Sequence, residues 1–415
     1  MSHGSNGILG KITEYSLPLI VGVFAALAAA NLMPESYHHW VEGAWGFSIL
    51  GHEANLHWFI NDVFMVFFFA VATKEIVDAV LPGGALSPMS KAINPLLGTL
   101  GGVFGPVGVY FAMTYLLYDD PETAKAVANG WAVPTATDIA LAWLAARLVF
   151  GPQHAAVSFL LLLAIADDAI GLGIIAVFYP DPEHPVHLSS LWFTGGGMLV
   201  AASLRRMKVM RWWPYILFGG GLAWYGLIQA HLHPALALVP IVPFLPKITR
   251  EGLIGDPTPS FAGEQTGEMG APDPTAVGPV VSPLDDFEHT VKPYVDWGLF
   301  LFAFSNAGVL FANIGNATWI VLASLVVGKT VGITLFSGIG ALIGFPLPEG
   351  MGMKHLITAG LVAGLGLTVA LFVCGVAFTD VALQGEAKMG ALFSGAVFVL
   401  ALVVGRMLGI KPEKS

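Results

Sequence analysis

The chain has 415 residues, of which 55% are hydrophobic and only 11% charged, with a mean hydropathy of +0.74 and a formal net charge of -10. Soluble domains carry about 25% charged residues, so this composition excludes an ordinary water-soluble globule and describes a polytopic membrane protein. The acidic balance gives no reason to expect nucleic acid as a partner.

A helix needs about 20 apolar residues to cross a bilayer. In chain order such windows fall at residues 15–33, 58–81, 94–117, 126–149, 155–179, 188–204, 212–230, 233–246, 293–314, 317–344, 356–378 and 389–410. The expectation is an all-α protein with about twelve transmembrane helices. The first window runs into Asn31-Leu32-Met33-Pro34 without a small-residue cleavage pattern, so it reads as a retained helix. The eighth is short and holds Pro234, Pro240, Pro243 and Pro246. After it, residues 247–290 contain Gly255-Asp256-Pro257-Thr258-Pro259 and similar polar runs, predicting a flexible cytoplasmic linker between residues 1–246 and 291–415 of one integrated body. The single cysteine, Cys374, excludes an intramolecular disulfide. His38, His39, His52 and His57 in the first outer loop lack metal-ligand spacing.

Lysine and arginine collect in cytoplasmic loops, which tests the count. With the N-terminus inside, Lys11, Lys74, Lys91, Arg147, Arg205, Arg206, Lys208, Arg211, Lys247, Arg250, Lys292, Lys354, Arg406, Lys411 and Lys414 fall on the cytoplasmic side. The outside receives Lys125 and Lys388, and Lys329 is buried in a span. Missing or inventing one span in mid-chain would destroy this asymmetry. Both termini are therefore expected inside.

Two windows are interrupted: the fourth by Pro134 and the eleventh by Gly364-Leu365-Gly366-Leu367-Thr368. By the charge count they run in opposite directions. Oppositely oriented broken helices are the sequence mark of an inverted repeat with its binding site at the breaks.

The charges inside the spans are few. Asp167 and Asp168 are the sole charges in residues 155–179, Asp138 in residues 130–146, and Lys329 in residues 319–345. A carboxylate at the centre of a membrane helix is unfavourable by about 2.5–3.5 kcal/mol even on the lowest scales, so such groups face a polar path or a counter-charge. Adjacent helical residues point about 100° apart, so the two aspartates have different roles. One can face a cavity while the other meets Lys329. Asp168, Asp138, the Thr137 hydroxyl and carbonyls freed at the break form an oxygen set suited to a hard cation, for which protons compete.

Four stretches carry a family resemblance: Gly130-Trp131-Ala132-Val133-Pro134-Thr135-Ala136-Thr137-Asp138-Ile139-Ala140, Ala164-Ile165-Ala166-Asp167-Asp168, Phe302-Ala303-Phe304-Ser305-Asn306-Ala307-Gly308-Val309, and Gly328-Lys329-Thr330-Val331-Gly332-Ile333. In order and spacing they resemble NhaA-type Na+/H+ antiporters, and Trp58-Phe59-Ile60-Asn61-Asp62 extends the likeness to nearly the whole chain. The resemblance implies a transporter rather than an enzyme, without cofactor, in a bacterial inner membrane. It would exchange internal Na+ or Li+ for external H+ electrogenically, through twelve helices with two broken ones crossed at the site. By motif, Asp168 would be the principal carrier of cation and proton, Asp167 would pair with Lys329, and Thr137 and Asp138 would lie at the crossing. There Asp138 would join the cation site and offset positive helix ends, and Lys329 negative ones. The family's pH-response positions fall on Glu75, His233, Glu288 and His289. Residues 43–58 match the place of a β-hairpin that joins two protomers, implying a homodimer.

The chain departs from the family's pattern around those positions. Ile76-Val77-Asp78-Ala79 follows Glu75 where basic residues are usual, His233 precedes Pro234-Ala235 rather than Ala-Thr, and Gly366-Leu367-Thr368-Val369-Ala370 replaces Gly-Phe-Thr-Met-Ser. These changes bear on the pH threshold and cation selectivity. Two other readings compete. An intramembrane aspartyl protease would lack its Tyr-Asp and Gly-Leu-Gly-Asp signatures here and leave Lys329 unexplained. A Na+-coupled symporter of an organic acid on a similar inverted-repeat fold would need no proton release.

Overall fold

The computed structural model describes residues 16–86, 89–180, 184–249, 252–253 and 282–412, and among these the protein is overwhelmingly helical. Helices α1 (Leu17–Leu32) and α2 (Pro34–Glu42) open the described chain, each with a proline in its first turn where no backbone donor is lost. A two-residue hairpin follows, β1 (Ser48–Ile49) against β2 (His52–Glu53), with Ser48 opposite Glu53. Its tip, Leu50-Gly51, has positive φ at both residues, as a tight two-residue hairpin turn requires. Asn55 caps α3 (Leu56–Trp58), which passes through a wide turn over Phe59–Phe64 into α4 (Met65–Val80).

Helix α5 (Met89–Leu117) is followed by α6 (Pro121–Ala128), a tight turn over Asn129–Thr135, and α7 (Ile139–Phe150). The break expected within residues 132–138 around Pro134 is present, its non-helical residues being Ala136-Thr137-Asp138. Proline ends the regular pattern but is accommodated in the tight turn, and the chain redirects only where Asp138 adopts an extended backbone and caps α7. The two parts meet at 53°. The aspartate-bearing helix is α8 (Ala155–Phe178), followed by α9 (Leu191–Arg206) and α10 (Gly221–Ala230).

The helix expected over the eighth window is corrected: residues 233–246 form tight turns at Pro234–Leu236 and Val242–Phe244 instead of one continuous helix. Four prolines in this stretch remove backbone donors and block the α conformation of the residues before them. A second short ladder, β3 (Ile248–Thr249) against β4 (Gly252–Leu253), opens the predicted linker, most of which lies outside the described residues. The linker ends earlier than 290. Ser282 caps α11 (Pro283–Asn306), with Pro283 at the first position and Asp285 and Asp286 in the first turn, so Glu288 and His289 are helical.

Next come α12 (Asn316–Ala323), a wide turn over Ser324–Gly328, and α13 (Lys329–Leu342), then α14 (Met353–Val362) and α15 (Thr368–Ala377) with the break between them, and finally α16 (Val381–Phe393) and α17 (Val397–Met407). Among the described residues, Ala92–Leu117, Ala155–Phe178, Asn316–Leu342 and Val381–Met407 are each long and apolar enough to cross a membrane, and the bent pair Pro121–Thr135 with Ile139–Phe150 makes a fifth. Leu17–Leu32 and Thr368–Ala377 are shorter apolar helices.

Packing sets the site. Helices α5 and α13 lie closely together because Gly101 and Gly105 meet Gly332 and Gly328, and a β-carbon at any of the four would collide with the opposing backbone. This seats Lys329, next to Gly328, deep in the protein. Gly364 and Gly366 serve the same purpose at the second break: a side chain on Gly366 would strike the Ala136 carbonyl and Leu325.

Candidate functional site

The two breaks touch. The Asp138 N–H donates to the Leu365 carbonyl at 2.6 Å, joining residues 136–138 to residues 363–367 at the centre of the buried core. Four helix ends converge there, exposing backbone donors at two of them and carbonyls at the other two.

Asp138, 3% exposed, spans both positive ends. Its Oδ1 accepts from the Leu141 N–H at 3.0 Å in the first turn of α7. Its Oδ2 accepts from the Thr368 hydroxyl at 3.0 Å and the Thr368 N–H at 3.3 Å, where α15 begins. One carboxylate thus caps two helices and sits at the positive end of both dipoles.

Lys329 and Asp167, 0% and 1% exposed, form a buried ion pair with Nζ 2.6 Å from Oδ2. The ammonium also donates to the Thr137 hydroxyl at 2.5 Å. That hydroxyl lies 2.8 Å from Asp167 Oδ2 and 3.0 Å from the Ala363 carbonyl, just past the last residue of α14. With one proton to give, the Thr137 hydroxyl accepts from Lys329 and donates either to the Asp167 carboxylate or to the Ala363 carbonyl at this helix end. The pairing of Asp167 with Lys329 expected from the sequence is present. Thr137, expected at the crossing, is hydrogen-bonded to the Asp167–Lys329 pair.

Asp168 stands apart from this cluster. One turn of about 100° aims it away from Asp167, toward a pocket lined by Phe68, Phe69, Ala72, Gly171, Leu172, Ile175 and Val369. Its Oδ1 is buried without a hydrogen-bond partner, as is Oδ1 of Asp167. Asp167, Asp138, Glu75 and Lys329 all act on Asp168 electrostatically. Of the oxygen set expected from Asp168, Asp138 and Thr137, the Asp138 carboxylate accepts hydrogen bonds from Leu141 and Thr368.

The four residues expected to respond to pH divide. Glu75 and Glu288 share Lys292, at 3.3 and 3.9 Å. Glu288 also pairs with Lys74, which meets Asp78 at 2.7 Å and Asp285 at 3.9 Å, and Lys247 joins Asp78 and Asp285 in turn. The result is a charge network linking α4, the end of residues 233–247 and α11. His289 is exposed on the next position of α11. His233 lies elsewhere: its Nδ1 accepts from the Ala235 N–H at 3.3 Å and its ring rests 4.8 Å from that of Phe372.

Several residues of this arrangement escaped the sequence reading. Thr368 was noted only as part of a break, yet it holds Asp138. Asn306 donates to Asn61 Oδ1 at 3.2 Å inside the bundle, where two uncharged amides give no signal in a charge count. Asp78 follows Glu75 by three positions, a spacing that places both on one side of a helix and could have marked the network.

A helical membrane protein in which two broken segments meet around buried acids and a lysine has the architecture of an ion carrier. A family model described as Na+/H+ antiporter 1 matches residues 8–410. The chain is 55% identical over 406 residues to the Na(+)/H(+) antiporter NhaA of Desulfitobacterium hafniense, covering 97% of each chain. It is 52% identical over 403 residues to that of Geotalea uraniireducens, covering 97% of each. The same identity and length hold for that of Geobacter sulfurreducens, covering 97% of this chain and 98% of the relative. Among solved structures, the sodium proton antiporter MjNhaP1 from Methanocaldococcus jannaschii is similar with a TM-score of 0.53, covering 96% of this chain and 92% of that one, and at 13% identity it speaks to the fold. The chain belongs to the NhaA-type Na+/H+ antiporter family.

Proposed function

We propose that the protein exports cytoplasmic Na+ or Li+ in exchange for external protons, electrogenically, as a homodimer in a bacterial inner membrane with both termini inside. The observation that carries this reading is the buried Asp167–Lys329–Thr137 cluster beside an Asp168 carboxylate whose Oδ1 has no hydrogen-bond donor. An ionised oxygen left unbonded in the interior is costly, and binding either a proton or a cation relieves the cost. Those two ligands exclude each other at one carboxylate, and alternating access converts that exclusion into exchange.

In this account Asp168 carries the cargo. Asp167 and Lys329 form the second element: when Asp168 gains a cation the local positive charge rises, which weakens the lysine's hold on its proton. Asp138 balances the two positive helix ends so that the breaks stay together, and its second role, as a cation ligand, requires release of Thr368. The fold is read as twelve spans in an inverted repeat with the broken pairs α6–α7 and α14–α15 crossed, for which their opposite direction by the charge count is the support. The exposed hairpin β1–β2, with Trp45, Phe47 and Ile49 around it, is the surface for the second protomer.

The test is a pH probe inside everted vesicles or proteoliposomes, with Na+, Li+ and K+ added in turn between about pH 6 and 9. Proton release on adding Na+ or Li+ is expected. Cation uptake that requires an organic acid and moves no protons would replace this reading with the symporter.

A further inference from the structure

Glycine is, after proline, the weakest helix former, and in a membrane bundle it is ordinarily kept where a neighbouring backbone comes close. Gly101, Gly105, Gly328 and Gly332 meet that description. Gly171 does not. It lies within α8 and is buried, so it faces no lipid, and a β-carbon there would meet no atom within 4 Å. The space it leaves belongs to the pocket at Asp168. Asp168, Gly171, Leu172 and Ile175 follow one another at the three- and four-residue spacing of a single helix face, so Gly171 stands one turn beyond the carboxylate.

The rest of the lining decides what that space can hold. Phe68, Phe69, Ala72, Leu172, Ile175 and Val369 bring no side-chain oxygen or nitrogen, and Asp168 is the one polar side chain of the group. The wall contributed by α4 is firm. Phe69 stands edge-on to Phe68 at 5.5 Å and to Phe372 at 5.2 Å, and Phe69 and Phe372 are 2% and 1% exposed. A hard cation takes several oxygen ligands, and one carboxylate supplies at most two. The Asp138 carboxylate is held by Leu141 and Thr368, and the Thr137 hydroxyl by Lys329. A cation at Asp168 therefore completes its shell with water that it brings along, and that water needs room free of side chains. Gly171 supplies this room at the nearest turn of the helix.

We propose that Gly171 is a specificity-determining residue: it keeps space beside Asp168 for water retained by the bound cation, so the site takes a partly hydrated alkali cation and ranks Na+ against Li+ by the size of that shell. Li+ holds its waters closer than Na+ does, so narrowing the space penalises Na+ first. This deepens the antiport reading and rests on its assignment of Asp168 as the carrier.

Gly171→Ala and Gly173→Ala in the full-length protein test it. A β-carbon at Gly173 also meets no atom within 4 Å, but Gly173 is exposed on the opposite side of α8. The second variant therefore makes the same change in helix propensity and leaves the pocket alone. In proteoliposomes, Gly171→Ala is expected to raise the KM for Na+ relative to that for Li+ by about tenfold, the scale on which one added carbon discriminates in a closed pocket and a bound water is displaced without replacement. Gly173→Ala is expected to keep the wild-type ratio. The rise in melting temperature on adding NaCl or LiCl to the purified protein reads binding without transport, and Gly171→Ala should lose more of the Na+ effect than of the Li+ effect. An unchanged ratio in a folded Gly171→Ala protein, or the same shift in Gly173→Ala, overturns the proposal. A wild type that moves no protons on adding either ion, yet loses Na+ stabilisation selectively on Gly171→Ala, supports the pocket and refutes the antiport reading.

Discussion

Without the Lys329 ammonium, Asp167 would remain bonded to Thr137 in a place that water does not reach. Leaving one member of a buried pair alone typically costs about 3–5 kcal/mol, so Lys329→Ala should lower the melting temperature clearly in detergent and shift the pH profile. An unchanged melting temperature and profile would reject the pairing. Thr368→Val removes a hydroxyl donor from a carboxylate with few others, for a loss of about 1–3 kcal/mol. Because Asp138 then leans on backbone donors alone, a variant as stable as the parent would show that the carboxylate does not depend on the Thr368 hydroxyl. The charges were legible from the sequence, since an isolated acid in an apolar run is conspicuous. Their neighbours were not. Thr137 is one hydroxyl among many, and that it bonds Lys329 rather than serving Asp168 depends on how three helices approach.

At the scale of elements, the second break exists because glycine lets two strands of irregular backbone touch. Gly366→Val should separate the Ala136 carbonyl from residues 363–367 and break the 2.6 Å bond from Asp138 to Leu365. Overpacking of this kind costs about 1–3 kcal/mol or more, and reduced stability with lost transport is expected. Retained transport would mean that the breaks need not touch. Both broken segments were legible in the sequence: in the first, proline marks where the helix is weakened and the capping aspartate marks where the new one starts. The start of α11 was missed. Ser282-Pro283 with two acids behind it is a strong helix start, but the polar residues around it have the composition of a linker, and capping chemistry leaves no mark on hydropathy.

Across the whole molecule, the hydropathy pattern carried the helical, membrane-spanning character of the chain, since a bilayer imposes length on its apolar segments. The proline-rich residues 233–246 are the exception, where apolar content does not become a helix. The charge network joining α4 to α11 was legible only in part, because residues distant in sequence meet there through packing. If the hairpin β1–β2 joins two protomers, a cysteine at Ile49 in a background without Cys374 should cross-link into dimers in membranes, and failure to do so in a correctly inserted protein would remove that surface from the interface. The central claim is that Asp168 alternates between proton and cation. The direct measurement compares wild type with Asp168→Asn in proteoliposomes carrying an internal pH probe, on adding Na+. The account requires Na+-driven proton movement in the wild type and its loss in a variant that remains folded and inserted. Exchange at the wild-type rate in Asp168→Asn would contradict it.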